Sequence, residues 1–466
     1  MTLRKRQLLF FLSASALIQT AVAASQSSRE STHKTEKKPK TTESKNEAQS
    51  TAILPLKESA KDVGSRHGAL CMEIANTGFF FGIGGFIKCS GFLDLYGRSG
   101  YIGESYTKGR YFLATYNINA EDSQRFSPRF YISARESRLM LMAVKPINAK
   151  DLKFQFAMDF LGDGSGNPVV SNAFNFRLVQ AYVQYGSWLI GQDFSTFTDM
   201  STYPQTLCLN GPTGNSQVRQ AMVRYTHSWG NGISLAVAIE NPETEFSLYN
   251  GQGGYASSIK AIENGAERYK ARNNMPDCIV RFFYTTPQGS FSIRGILKNN
   301  TVGRFDADMK PQKTFCKLAY GFDASGSIKI RNAIHFVGQF GIGTGIGRYF
   351  TDILQITTVK PHDKDQLVNN WLLHASVGTM WHMTQRLSST IAYGCAKLLT
   401  QNGLDTSLPS VKKLNHFTQS VHCNIIYKAL ENVDIGIEYV FGYRQNIEKK
   451  PFYLHRIMFA VKAYIK

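Results

Sequence analysis

From residue 87 onward, polar and apolar residues alternate in short runs with a period of two. Ile233, Leu235, Val237 and Ile239 alternate with Ser234, Ala236, Ala238 and Glu240, as a strand with one greasy and one wet face requires. Val179, Ala181, Val183 and Tyr185 likewise share a face opposite Gln180, Tyr182 and Gln184. The alternation is cleanest from Leu152 to Phe160 and from Val433 to Phe441, and is blurred by Gly, Ala and Cys from Phe315 to Phe322 and from Ser388 to Lys397. Gly186–Ser187 and Gly230–Asn231–Gly232 tolerate the positive φ of tight hairpin turns.

Counted this way the chain holds about sixteen strands of roughly nine to fourteen residues, longer than soluble sheets use and suited to a tilted membrane crossing. The first is Ile87 to Arg98, the second Ser137 to Pro146, the fifth Trp188 to Phe197 and the last Tyr453 to Ile465. The ninth, tenth and eleventh are Ser290 to Lys298, Thr314 to Asp323 and Lys329 to Ile342, with a short turn at Ala324 to Ser327. Short and long connections alternate strictly, the long ones including Ser99 to Glu136, Asp199 to Gln217, Glu243 to Pro276, Gly343 to Asn370 and Leu399 to Leu414. An even strand count with short periplasmic turns and long external loops predicts an all-β protein, a transmembrane antiparallel β-barrel of about 16 strands. No stretch holds the roughly 18 apolar residues of a membrane-spanning helix, and only helices or a closed barrel satisfy the backbone in lipid. Aromatic residues near strand ends (Tyr185, Trp188, Trp229, Trp381, Tyr464) are expected in the interfacial girdles.

The two ends refine this picture. Residues 1–24 read as a secretory signal peptide, with Arg4, Lys5 and Arg6 before an apolar core and Ala21, Ala23 and Ala24 at its exit. Residues 25–85 are expected as a polar, flexible periplasmic linker without heptads, and 86–466 as the barrel. Export to the outer membrane of a Gram-negative bacterium follows, with outer-membrane lipid and the outer-membrane assembly machinery as partners. The net charge of +19 then points to anionic solutes or lipid heads, since an exported chain has no nucleic acid to meet. Seven cysteines lack CxxC or CxxH spacing, so no metal or cofactor is expected, and Cys89, Cys278 and Cys423 fall on apolar strand faces. Enzyme motifs are missing too: GDGSG at 162–166 is not GxSxG, and GIGTGIG at 341–347 does not match GxGxxG.

Because charge on a lipid face costs on the order of 2–4 kcal/mol at mid-bilayer, the charged member of each alternation is assigned to the lumen. That rule places Lys88, Arg138, Lys153, Arg224, Arg281, Arg294, Lys317, Arg456 and Lys462 inside, with Asp94, Asp159, Glu240, Asp434 and Glu438. The excess is basic, and guanidinium groups bind carboxylates through paired hydrogen bonds. Arg138, Arg177, Arg219 and Arg224 lie nearest the segments around residue 200 and are the preferred contacts for small anionic solutes. The plainer reading of each is a brace to Asp193, Asp199 or Glu240. His335, His374 and His422 read as polar lining.

The series SRLMLMAV, RLVQAYVQYGSWLIGQDFSTFTD, PQTLCLNGPTG, VRQAMVRYT and GISLAVAIENP, between residues 137 and 242, resembles the DcaP-like family of outer-membrane porins. The resemblance implies a homotrimer of sixteen-stranded porins passing small anionic solutes, dicarboxylates among them. It also implies that residues 199–217 form a loop folded into the barrel as a constriction. Two features depart from the family pattern: the linker lacks its N-terminal coiled coil, and Ile465 and Lys466 follow Tyr464 where such barrels commonly end in an aromatic residue. A rival reading is a surface antigen or adhesin, in which the barrel is an anchor and the long loops bind neighbouring surfaces.

Overall fold

The computed structural model describes residues 70–74, 77–97, 129–148, 150–162, 175–251, 261–331, 333–350, 352–353, 356–360 and 366–465. The expected signal peptide, most of the linker and most of the first long loop lie outside the described residues. Sixteen antiparallel strands close into one barrel. They are β1 (Phe79–Tyr96), β2 (Arg138–Ile147), β3 (Lys150–Gly162), β4 (Asn175–Tyr185), β5 (Trp188–Phe194), β6 (Arg219–Gly230), β7 (Ile233–Glu240) and β8 (Asp277–Thr286). The circuit continues through β9 (Gly289–Phe305), β10 (Pro311–Ile330), β11 (Ile334–Thr344), β12 (Trp371–His382), β13 (Leu387–Leu398), β14 (Asn415–Leu430), β15 (Val433–Asn446) and β16 (Pro451–Ile465). Each strand pairs with the next, and β16 closes on β1 from Ile465 opposite Gly85 to His455 opposite Tyr96.

Alternation decides the faces as lipid demands. Ile391 is 60% exposed and its neighbour Ala392 1%, so one turns to lipid and the other to the packed interior. Phe154, Phe156 and Phe160 on β3, Val237 and Ile239 on β7, and Ile435, Ile437 and Tyr439 on β15 continue the exposed apolar belt. Cys89 and Cys423 lie on the same belt, and the described cysteines are free thiols. Tyr185, Trp188, Trp229 and Trp381 are exposed near the short turns, with the Trp188 and Tyr225 rings 4.9 Å apart. Tyr464 differs from expectation: its hydroxyl donates to Asp434 Oδ2 at 3.0 Å, and it shares the inner face with Lys462.

Several boundaries also differ, each for a local reason. The barrel begins at Phe79 rather than near 86, and Leu70–Ile74 pairs with Phe79–Ile83 in a short hairpin. Strand two is split: Arg129–Ser133 pairs with the upper part of β1 and Arg138–Val144 with the lower part. The residues between them are pushed inward, where buried Glu136 pairs with Lys88. Ala324 to Ser327 is strand rather than turn, because these small residues pair against Ile293 to Ser290 while β9 and β10 continue unbroken. The real turn follows Ile330 at Arg331, whose φ is 49°. β5 stops at Phe194, so the inward loop starts four residues earlier than expected.

Val280 on β8 faces lipid and Arg281 faces inward. Val280→Arg is therefore expected to reduce the folding free energy by about 2–4 kcal/mol, read from reversible denaturant titration in lipid vesicles.

Candidate functional site

The segment between β5 and β6 leaves the wall and crosses the lumen. Its root is tied to neighbouring strands: Ser195 N–H donates to Val218 O at 2.9 Å, and Thr196 N–H to Glu240 Oε1 at 2.7 Å. Asp199 then turns the chain through a short 3₁₀ turn, Met200–Thr202, accepting from Ser201 N and Oγ. The same carboxylate takes Arg281 Nη2 at 3.0 Å and Ser325 Oγ at 2.6 Å, so it is held from β8 and β10 at once. Tyr203 donates its hydroxyl to Ser216 O at 2.6 Å, tying the outgoing and returning limbs together.

The tip rests on Glu438 of β15. This fully buried carboxylate accepts Leu207 N at 2.6 Å, Cys208 N at 3.2 Å, Asn424 Nδ2 at 3.0 Å and His422 Nδ1 at 3.0 Å. Lys88 of β1 donates to Leu207 O at 2.7 Å. Leu207 and Cys208 pack beside Phe92, Ile426, Val440 and Met458, an apolar patch on the inner wall. The returning limb is held by Ser420 on Thr213 N, by His374 on Gly214 O and by Ser376 on Asn215. The wall is recessed to receive it. A Cβ at Gly394 would lie 1.9 Å from Thr213 O, and one at Gly378 2.7 Å from Pro204.

Two histidines read from sequence as lining are thus anchors. His422 bridges Ser420 Oγ (3.2 Å) and Glu438, the connectivity of a Ser–His–acid relay. Ser420 Oγ already accepts from Thr213 N, and all three side chains are fully buried, so no solute reaches them.

A second connection also turns inward, which sequence reasoning had left outside. Ile346, Tyr349, Phe350, Ile353 and Ile356 are fully buried against Phe197, Val218 and inner-wall residues such as Ile296 and Leu372. Their spacing of three and four residues was the signal available in the sequence. Above them Ser247–Leu248, Thr357–Lys360 and Gln366–Asn369 form a small sheet over the mouth.

These anchors reach β1 and β7 to β15, whereas the inner faces of β2 to β4 carry the first group of sequence candidates. Arg138, Asp159 and Arg177 stand directly opposite one another across β2, β3 and β4. Arg177 holds Asp159 with two bonds of 2.9 and 2.8 Å, leaving Arg138 at 3.4 Å. Arg219 breaks the alternation of β6. It pairs with Phe194 at the root of the inward loop, above the last β4–β5 pair at Ala181 and Gln192, and lies over the Phe194 ring at 4.5 Å. There it is close enough to Arg177, Arg138 and Asp159 for their charges to act on it. Its buried Nε lacks a hydrogen-bond partner, and it makes no ion pair among the described residues. Arg138 and Arg177 therefore share Asp159, and Arg219 adds a third guanidinium with no ion pair among the described residues.

The other candidates are distributed differently. Arg224 pairs with Asp193 at 3.0 Å, while half-buried Lys153 makes no ion pair among the described residues and lies 5.9 Å over the Tyr182 ring. Arg281 is matched by Asp199. Arg294 is fully buried on Asp323, and Arg456 is fully buried on Asp94 through bonds of 2.5 and 3.0 Å. These last two are wall braces, not solute contacts, because burial separates them from lumen water. Lys317 is exposed and stands opposite Asn300.

The model of the DcaP outer membrane protein family matches residues 101–463. The chain belongs to this family. Its barrel is that of an outer-membrane channel, and its place is the outer membrane of a Gram-negative bacterium. The crystal structure of the outer membrane channel DcaP of Acinetobacter baumannii matches with a TM-score of 0.65 at 20% identity, over 84% of this chain and 99% of that one. Weaker matches include Salmonella typhi OmpF (TM-score 0.48, 11% identity, 84% of this chain and 100% of that one). The anion-selective porin from Comamonas acidovorans scores 0.47 at 9% identity, over 83% of this chain and 99% of that one. No curated protein matches the chain significantly.

Removing the tip anchor tests the loop's attachment. Glu438→Gln should cost ~3 kcal/mol of anchoring, since it weakens several charge-assisted bonds, and should raise single-channel conductance and open-state noise. Gly394→Val should act in the same direction, because its side chain collides with Thr213.

Outside the membrane-spanning strands, burial lifts Glu245 from 4.5 to about 7, although Arg348 and Lys298 oppose the shift. A carboxyl raised in the folded state weakens that state once it must ionise. The packing of Phe246 and Leu248 over the mouth should therefore be tightest below pH 4.5 and loosen as pH rises through 7. Hydrogen exchange of residues 244–250, corrected for intrinsic rates, should follow that course, and Glu245→Gln should flatten it.

Proposed function

We propose that this protein is a passive, weakly anion-selective diffusion channel for small anionic hydrophilic solutes, dicarboxylates among them, with no enzymatic step. The observation that carries this reading is the imbalance at Arg138, Arg177 and Arg219, where Asp159 is shared by the first two and the third has no ion pair among the described residues. Asp159 is committed to Arg177, which leaves Arg138 and Arg219 with unspent donors beside the limb of the inward loop. A carboxylate passing there gains paired, charge-assisted hydrogen bonds, and a second carboxylate on the same solute has a second guanidinium within reach. Lys153 and Arg224 extend the basic lining along the same wall toward the periplasm. The segment 199–217 acts as the constriction, set by its anchors rather than by a gate. The assembly we propose is a homotrimer, as the resemblance over residues 137–242 implies.

Reversal potentials in a potassium chloride gradient test this reading. The mature protein in a planar bilayer should conduct in steps grouped by three with an anion-favouring reversal. Arg138→Ala/Arg219→Ala should lower the anion-to-cation permeability ratio by roughly fivefold, ~1 kcal/mol of electrostatic preference at a partly screened site. The matched loss at Arg456 should leave selectivity unchanged while weakening the barrel. Insertion without conductance would contradict the channel and favour an anchor.

A further inference from the structure

The outer face of the wall carries a built basic recess that the passage of solutes does not use. At its extracellular end β9 runs on beyond β8, and Val302–Phe305 pair with Ala271–Arg268 of the preceding segment. Register assigns the faces. Tyr269, Val302 and Phe315 turn inward into a buried cluster with Phe246 and Leu248. Lys270, Gly303 and Thr314, aligned in one row across three strands, therefore face outward.

Between that row and Arg272 lies a recess of about 600 Å³. Its polar lining is Lys270, Arg272, Asn273, Asn274, Thr301 and Thr314, and no carboxylate is among the described residues that line it. Neither Lys270 nor Arg272 makes an ion pair among the described residues. Arg272 instead lies over the Phe305 ring, 5.7 Å from its centre. Gly303 makes that seat: a Cβ there would stand 2.8 Å from Arg272 Cδ and 3.0 Å from the Phe305 ring. Two unmatched cations are thus held on the outside of the wall, one of them stacked into place.

Their height decides the partner. Immediately below on the same outward face, Leu297, Leu318 and Tyr320 are exposed members of the lipid belt. Thr314 lies four residues beyond Leu318 along β10, about 10 Å higher for a strand tilted as barrel strands are. That is the level of lipid headgroups, just above the hydrocarbon. A solute inside the barrel is on the other side of the wall.

We propose that this recess binds the phosphate-bearing headgroup of an outer-leaflet glycolipid, with Lys270 and Arg272 taking the phosphate and Phe305 and Met309 the apolar underside of the sugar. Arg272 offers two parallel donors to phosphate oxygens, and Lys270 adds a compact charge. Bound lipid would fasten this side of the barrel to the outer leaflet.

The test uses the full-length mature protein in detergent with lipid A as the probe, counting retained molecules by native mass spectrometry. Wild type should retain bis-phosphorylated lipid A and lose most of it when the lipid is dephosphorylated. Lys270→Glu/Arg272→Glu should reduce retention about tenfold. Gly303→Val keeps the charge but displaces Arg272, and should reduce retention several-fold. Lys150→Glu/Lys428→Glu changes charge equally at the short-turn ends of the barrel and should retain lipid as wild type does. Heat-modifiable migration on gels establishes that each variant is folded. Equal retention by the Lys270/Arg272 variant, equal loss by the distant control, or full displacement by millimolar inorganic phosphate would each overturn the proposal.

Discussion

A backbone that crosses lipid has nowhere outside itself to send its hydrogen bonds. That constraint closes β16 onto β1 and fixes which side chains face lipid. It also leaves sixteen strands enclosing more space than the side chains of the wall fill. Much of the remaining architecture answers that vacancy. The segment after β5 crosses it on buried carboxylates and backbone carbonyls, and the segment after β11 packs against that segment and the inner wall with Ile346, Tyr349, Phe350 and Ile353.

The distribution of charge follows from the same division. Where the inner wall is covered, cations and anions are matched: Arg281 and Arg294 with Asp199 and Asp323, and Arg456 with Asp94. An unpaired charge there would carry a desolvation cost of several kcal/mol. Across β2 to β4 no such matching is required, since water can solvate the surplus. The surplus is found there in Arg138 and at the adjoining end of β6 in Arg219, near an Asp159 that Arg177 already holds. Burial therefore separates braces from contacts better than residue type does.

Much of this was legible in the chain. The period of two, the even strand count and the alternation of short and long connections were sufficient for the barrel, because lipid tolerates few exceptions to that pattern. Boundaries were less legible where small residues serve strands as well as turns, as at Ala324 to Ser327, or where a strand splits, as before Arg138. Among the site residues, alternation placed Arg294 and Arg456 inside but could not tell lumen water from a buried pair, which depends on partners such as Asp323 and Asp94 on other strands. The inward packing of Ile346, Tyr349, Phe350, Ile353 and Ile356 was signalled by their apolar spacing, yet the alternation of short and long connections placed 343–370 among the external loops. The roles of Glu438, His374 and His422 arise from a loop more than a hundred residues away in sequence, and no local pattern carries that information.

The most direct test of the central claim is the position of a permeant anion. Anomalous diffraction from crystals soaked in bromide should place the strongest lumenal peak between Arg138 and Arg219, with none at Arg294 or Arg456. A principal peak on the β9 to β16 side of the inward loop, or no lumenal peak at all, would contradict the assignment of the basic wall as the conducting surface.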